Sequence, residues 1–400
     1  MKGVMKSAIF LMLLTLMSRQ ILHAQSKPNT LTQQEISAGW ILLFDGETNF
    51  GWESHGGADW KIADGIISVS SGENGWLGTT SQFADYILKA DYRTGADGNS
   101  GIFLRSASEG EPAKTGYELQ ICDTHKDYVT GSLVNYHKAQ KKMSFAPDQW
   151  HSYEIHTEGD YFLIKLDGKT LLKTRDESHA VGQIGLQYNK GKTVEFRNIK
   201  LKPLGIKPIF NGKTLSGWQK VNSPDKKTVP VWSVQKKTIH VEGGPGQLEV
   251  AGPYGDFVLQ LEVRTNPKDA NHHPNSGVFF RGDPNVFWTG YESQIRNEFK
   301  NQDRTQPVDF GTGGIYHFQP TRRVIPNDGV YFSKTIIASG RHMAVWVNGI
   351  QVSDYTDLRP PGADIYTQSR PGAGTISLQA HDPTTNLDFK NLKLASLPKR

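Results

Sequence analysis

The chain has 400 residues, 36% of them hydrophobic and 21% charged, which is too long for one ordinary domain and excludes both a disordered chain and an integral membrane protein. Its 41 glycines and 20 prolines favour many turns. The formal net charge of +5 is too small and too dispersed to argue for nucleic acid or an anionic membrane surface, and the single cysteine, Cys122, excludes an internal disulfide and any multi-cysteine metal cluster.

Lys2 and Lys6 precede an apolar run from Ala8 to Met17, which is followed by Ser18 to Ala24. A charged start, a short apolar core and a small final residue are the layout of a signal peptide, so residues 1–24 are expected to direct export to the periplasm or the medium. The run is about half the ~20 residues a spanning helix needs, and no stable membrane insertion is expected.

Helical period is visible only at Thr32 to Ser37. Beyond it the chain is written twice at domain scale. Phe44-Asp45-Gly46 running to Gly51-Trp52 returns as Phe210-Asn211-Gly212 running to Gly217-Trp218. Asp85-Tyr86-Ile87-Leu88 returns as Asp256-Phe257-Val258-Leu259, and Asn99-Ser100-Gly101-Ile102-Phe103-Leu104-Arg105 as Asn275-Ser276-Gly277-Val278-Phe279-Phe280-Arg281. Gly116-Tyr117-Glu118-Leu119-Gln120 is matched by Gly290-Tyr291-Glu292-Ser293-Gln294, and Leu186-Gln187 with Phe196-Arg197-Asn198 by Leu378-Gln379 with Phe389-Lys390-Asn391. The preserved order divides the chain into a first domain at 38–204 and a second at 205–398. The link from Lys202 to Pro208 is short and carries two prolines and a glycine, which predicts a packed pair.

Within each copy the period is two. Tyr161–Leu166 and Lys169–Leu172 flank Asp167-Gly168, and Met343–Val347 and Ile350–Val352 flank Asn348-Gly349, both hairpins with a tight primed turn. Many short strands in each copy predict an all-β fold of two tandem jelly-roll sandwiches. Three Gly-Lys-Thr tripeptides, at Gly168, Gly191 and Gly212, lack the earlier glycine of a phosphate loop. No zinc helix, nucleophile elbow or dinucleotide fingerprint is present, and no organic cofactor is expected.

What remains is a set of polar residues at strand spacing. Glu118 and Gln120 leave one face of a strand, as do Glu292 and Gln294, and Gln379 shares a face with His381. Arg105 and Arg281 are placed by the same alternation on the face of Phe103 and Phe279. Such residues would pave an open sheet face with Arg, Glu, Gln and His. The plainer alternative is a pair of cross-strand ion pairs, Arg105 with Glu118 and Arg281 with Glu292. Asn-Ser-Gly reads most simply as a turn entering a strand. Amides on the same face argue further for a site, because they cost free energy when buried unpaired.

Taken in order, the Phe-Asp/Asn-Gly…Gly-Trp, Asn-Ser-Gly-Ile/Val-Phe-x-Arg, Gly-Tyr-Glu-x-Gln, Leu-Gln-x-His and Phe-Arg/Lys-Asn motifs resemble the 3-keto-disaccharide hydrolase family, also described as 3-keto-glucoside lyase/hydratase domains. The resemblance covers both copies. It implies concanavalin-like jelly rolls in an exported protein that cleaves glycosides whose glucose unit carries a ketone at C3, installed by a separate upstream oxidoreductase. The ketone acidifies the C2 proton, so a base can form an enolate that expels the C1 substituent, and water then adds. By resemblance His381, Glu292 and Arg281 are catalytic, with His381 or Glu292 carrying the proton and Arg281 over the enolate oxygen. A divalent cation is a candidate there, with Glu292 and His381 as ligands. Gln294, Gln379, His317 and Asn275, and Arg105, Glu118, Gln120 and Gln187 in the first copy, are assigned to a 3-keto sugar or glycoside. The first copy has Asn189 in place of His381 and cannot carry a proton there, so the second is expected to be the working site. Asp123 keeps a cation in play in the first. A non-catalytic carbohydrate-binding protein and a structural surface module are the rival readings.

Overall fold

A computed structural model describes residues 27–225 and 228–399. The expected signal peptide lies outside the described residues. The helix Gln33–Ser37 forms where its period is legible: Thr32 and Glu35 cap one another's backbone amides. A second short helix, Pro112–Thr115, occupies a loop with no such period.

Everything else positions strands. Residues 41–203 build one sandwich from an eight-stranded and a five-stranded antiparallel sheet, and residues 207–396 repeat it. The five-stranded sheets run Trp52–Ala58, Gly72–Thr79, Gln183–Tyr188, Ser100–Ser106, Tyr117–Ile121 and Trp218–Asn222, Gly246–Tyr254, Gly374–Ala380, Ser276–Gly282, Tyr291–Ile295. In each five-stranded sheet a strand from the far end of the domain, Gln183–Tyr188 or Gly374–Ala380, is inserted between the second and fourth strands of the row, which is jelly-roll connectivity. The two hairpin turns form as read, with positive φ at Asp167, Gly168, Asn348 and Gly349.

Alternation sends one face of each sheet into the core. Tyr117, Leu119 and Ile121 point inward in the first sandwich, and Tyr291, Ile295, Ile376, Leu378 and Ala380 in the second. The two domains pack closely. Trp346, Ile337 and Val258 of the second join the core of the first. Trp346 Nε1 donates to Leu42 O at 2.9 Å, Leu42 N donates to Gly349 O at 2.7 Å, and Arg322 pairs with Asp45 at 2.7 Å.

Candidate active site

The outer face of the second five-stranded sheet carries the side chains that alternation sends away from the core. Gln294, Gly277, Gln379 and Gln247 form one row across four strands. Glu292 leaves the next row and lies diagonally across Gly277, where a β-carbon would collide with its carboxylate and Cγ. The glycine of Asn-Ser-Gly is therefore the gap through which Glu292 reaches the Gln379 amide that hydrogen-bonds it. It lies within the strand Ser276–Gly282, not in a turn before it.

Glu292, Gln294, Gln379, His381 and His317 line one cavity of about 220 Å³. Its walls are aromatic. Trp288 stacks on His381 with ring centres 5.5 Å apart, and His317 meets Tyr316 and Tyr366 at 4.3 and 5.0 Å. A cavity below the ~300–1,000 Å³ of drug-sized sites suits one small polar ring. A larger cavity of about 660 Å³ lies between the domains against Phe83, Val258 and Leu397, and none of the expected site residues borders it.

The electrostatics follow from burial. Glu292 is 8% exposed, and burial pushes its carboxyl up to about 8; Asp309 adds to the rise, while Lys334 and the Gln379 amide oppose it. His381 Nδ1 lies 2.8 Å from Asp382 Oδ2. Burial raises Asp382, but hydrogen bonds from Thr384 and His381 outweigh it and hold the acid below its usual range. An ionised Asp382 accepts from Nδ1–H, which leaves Nε2 of a neutral imidazole with its lone pair. The indole N–H of Trp288 and the carbonyl Oε1 of Gln379 are buried without protein partners, a free donor and a free acceptor among the residues that line the cavity.

Several expectations are corrected. Arg281 does not reach the cavity. It sits at a bulge with φ +57°, which breaks the alternation and turns the guanidinium inward to Gly255 O at 3.2 Å, Arg370 O at 3.4 Å, Gly340 O at 2.6 Å and Asp256 at 3.1 Å. Arg105 does the same in the first sandwich, with φ +55° and Asp85 as its partner at 3.2 Å. Neither pairs with the glutamate proposed for it, and both act as cross-links between loops. Asn275 donates to Asp309 Oδ2 at 3.0 Å beside the cavity instead of lining it. Asp123 spends both oxygens within its loop, on Thr130 and on the Phe145 amide. Of the residues expected to hold a divalent cation, Glu292 and His381 both border the cavity, His381 with its Nε2 free, and among the described residues no three His, Cys, Asp or Glu side chains converge as a metal site.

Both halves of the chain, residues 39–202 and 205–395, match the model of the 3-keto-alpha-glucoside-1,2-lyase-like domain. The chain belongs to this family. It is 29% identical over 93 residues to a 3-keto-disaccharide hydrolase of Bacteroides thetaiotaomicron, a match that takes in 20% of this chain and about a third (32%) of the relative's length. Two Parabacteroides distasonis proteins assigned as glycosyl hydrolases are similar in structure. One is 26% identical with TM-score 0.40, covering 44% of this chain and all (100%) of its own; the other is 24% identical with TM-score 0.38, covering 49% and 85%.

The two lyase-like domains differ where it matters. In the first, Glu118, Gln120 and Gln187 again share a face, Gln187 donates to Glu118 at 2.9 Å, and burial raises the Glu118 carboxyl. Asn189 stands at the histidine position with its amide on Gln187 Oε1 at 2.9 Å. Trp76, in the register place of Gln247, stacks on His55 at 4.2 Å and lies over Gly78 and Gly185, covering the floor. In the second domain the indole comes instead from the loop 283–290, and the floor stays open. Sequence reading missed Trp288, Tyr316, Tyr366, Asp382 and Lys334. Asp382 was signalled by its place beside His381, and Lys334 by its period: it shares a face with Phe332, Ile336 and Ala338.

Proposed function

We propose that the second domain cleaves 3-keto glycosides by elimination across C1–C2 followed by addition of water, with His381 carrying the proton and Glu292 acting as a neutral hydrogen-bond donor. The observation that carries this reading is the meeting, in one sugar-sized cavity, of an aspartate-backed imidazole and a carboxyl that burial keeps protonated near neutral pH. The match to the family supports the substrate class.

The chemistry balances on these groups. His381 Nε2 takes the C2 proton as the C3 carbonyl becomes an enolate, whose oxygen receives hydrogen bonds from the Glu292 carboxylic acid and the free Trp288 N–H. The C1–O bond then breaks, a C1–C2 double bond forms, and the imidazolium returns its proton to the departing oxygen. Addition runs in reverse: Nε2 takes a proton from water as its oxygen bonds to C1, and the enolate is reprotonated at C2. Gln379 Oε1 and Gln294 hold sugar hydroxyls. The first domain, lacking the imidazole, serves as the buttress against which the second packs. An upstream oxidoreductase must supply the C3 ketone, and the signal-peptide layout of residues 1–24 supports a reaction outside the cytoplasm.

The test is release of the leaving group from several 3-keto glucosides by the purified protein. Turnover that vanishes in His381→Ala while the substrate still binds supports the proposal. Binding without turnover in the unaltered protein means a carbohydrate-binding protein. Neither binding nor a ligand-dependent rise in melting temperature means a structural module.

A further inference from the structure

Lys334 is a fully buried lysine that the chemistry above does not use. It leaves the strand Phe332–Ser339 on the core side, and its ammonium donates to Ser293 O and Gln294 O, both at 2.8 Å. Those carbonyls belong to the strand that presents Glu292 and Gln294 to the cavity on its opposite face. A lysine in an apolar core carries a desolvation cost that a neutral residue would avoid. The first domain shows such a neutral solution. Tyr153 has the equivalent register, opposite Ala90 as Lys334 is opposite Leu261, and its hydroxyl donates to Gln120 O at 2.9 Å. The strand can therefore be held without a charge, and the domain with the imidazole is the one that has the charge.

We propose that Lys334 is a positioning residue for Glu292: from behind the sheet it fixes the strand that carries the carboxyl and supplies a counter-charge to it. The two groups oppose each other's burial. Burial pushes Lys334 down to about 7 and Glu292 partly restores it, while Lys334 draws Glu292 down against its own burial. The other ionisable groups toward Glu292 are Asp309 and Tyr316 from the loop that follows its strand, with His317, Tyr366 and His381 around the cavity. Of these, Asp309 opposes Lys334, so the lysine is the cation that limits the rise. The catalytic part of this inference rests on the proposed elimination; the electrostatic part does not.

Lys334→Tyr copies the first domain and keeps a donor to the strand while removing the charge. In this variant the Glu292 side-chain carbon, followed by NMR, is expected to titrate about one pH unit higher than in the unaltered protein, with the fold intact. On a 3-keto glucoside the alkaline limb of kcat/KM should rise with it, kcat should fall severalfold and KM should hold. An unchanged Glu292 titration in folded Lys334→Tyr overturns the inference. Should that variant not fold, Glu292→Gln gives the reciprocal reading: the Lys334 side-chain carbon should titrate about one unit lower than in the unaltered protein, and no change there overturns it equally. If the unaltered protein is inactive on 3-keto glucosides, the proposed elimination fails, and the two titrations still decide the coupling.

Discussion

Asp382 accepts the Nδ1 hydrogen of His381 at 2.8 Å, whereas the residue at the same place in the first domain, Asn189, spends its amide on Gln187. An aspartate-held imidazole presents a proton acceptor on its other nitrogen, and an amide presents none. This difference, together with Trp76 over the first floor, separates the two domains.

Removing the imidazole should therefore cost more than removing its partner. His381→Ala is expected to lower kcat by at least about 10²-fold, within the range of general-base contributions. Asp382→Asn should leave a fraction of the rate by losing only the orientation of the ring. Asn189→His should not rescue His381→Ala, because Trp76 lies over the first floor. Single-turnover rates for the four proteins check this.

In the proposed elimination Glu292 acts in its protonated form, so kcat/KM should fall as pH rises through about 8, the value to which burial pushes it. Glu292→Gln keeps a donor and should be slower but flat through that range, while Glu292→Ala should lose about 10²–10³-fold, as for a removed oxyanion donor. The stability sign agrees. Folding favours the protonated acid, so this group's contribution is complete at low pH and is lost as pH climbs through about 8. Melting temperatures across pH 6–9 should decline more for the unaltered protein than for Glu292→Gln.

Arg281 should behave as a structural residue. The residue is 1% exposed, and its guanidinium joins Asp256 to three backbone carbonyls. Arg281→Met should destabilise by about 3 kcal/mol or more by orphaning these groups, seen as a lower denaturant midpoint. Its kcat, measured where it remains folded, should stay close to that of the unaltered protein.

Gly277→Ala places a methyl where Glu292 lies. Gly277 has no positive φ, so its role is space, not backbone freedom. The variant should fold with a modest loss of melting temperature and lose most of its turnover, because Glu292 is pushed off Gln379. Binding measured by calorimetry should weaken less than kcat.

The tandem jelly rolls were legible because they rest on period two, two Asx-Gly turns and a repeated motif order. The row of Gln294 and Gln379 with Glu292 followed from the same alternation. Arg105 and Arg281 defeated it, since a single residue with positive φ at a bulge reverses the side chain, and nothing in Phe-x-Arg announces the bulge. Trp288 and Tyr366 come from loops, where no period tells direction; Tyr366 is 65% exposed at the rim. A charge on a strand ordinarily marks a solvent face, but the neighbours of Lys334 at two-residue spacing, Phe332 and Ile336, are core residues.

The proposed elimination requires proton removal from C2, and one label tests it. A 3-keto glucoside carrying deuterium at C2 should lose the label to solvent as the leaving group departs, and the released sugar should carry hydrogen there. Product that keeps its deuterium in full would mean that the C1–O bond breaks without an enolate, and would contradict the roles given to His381 and Glu292.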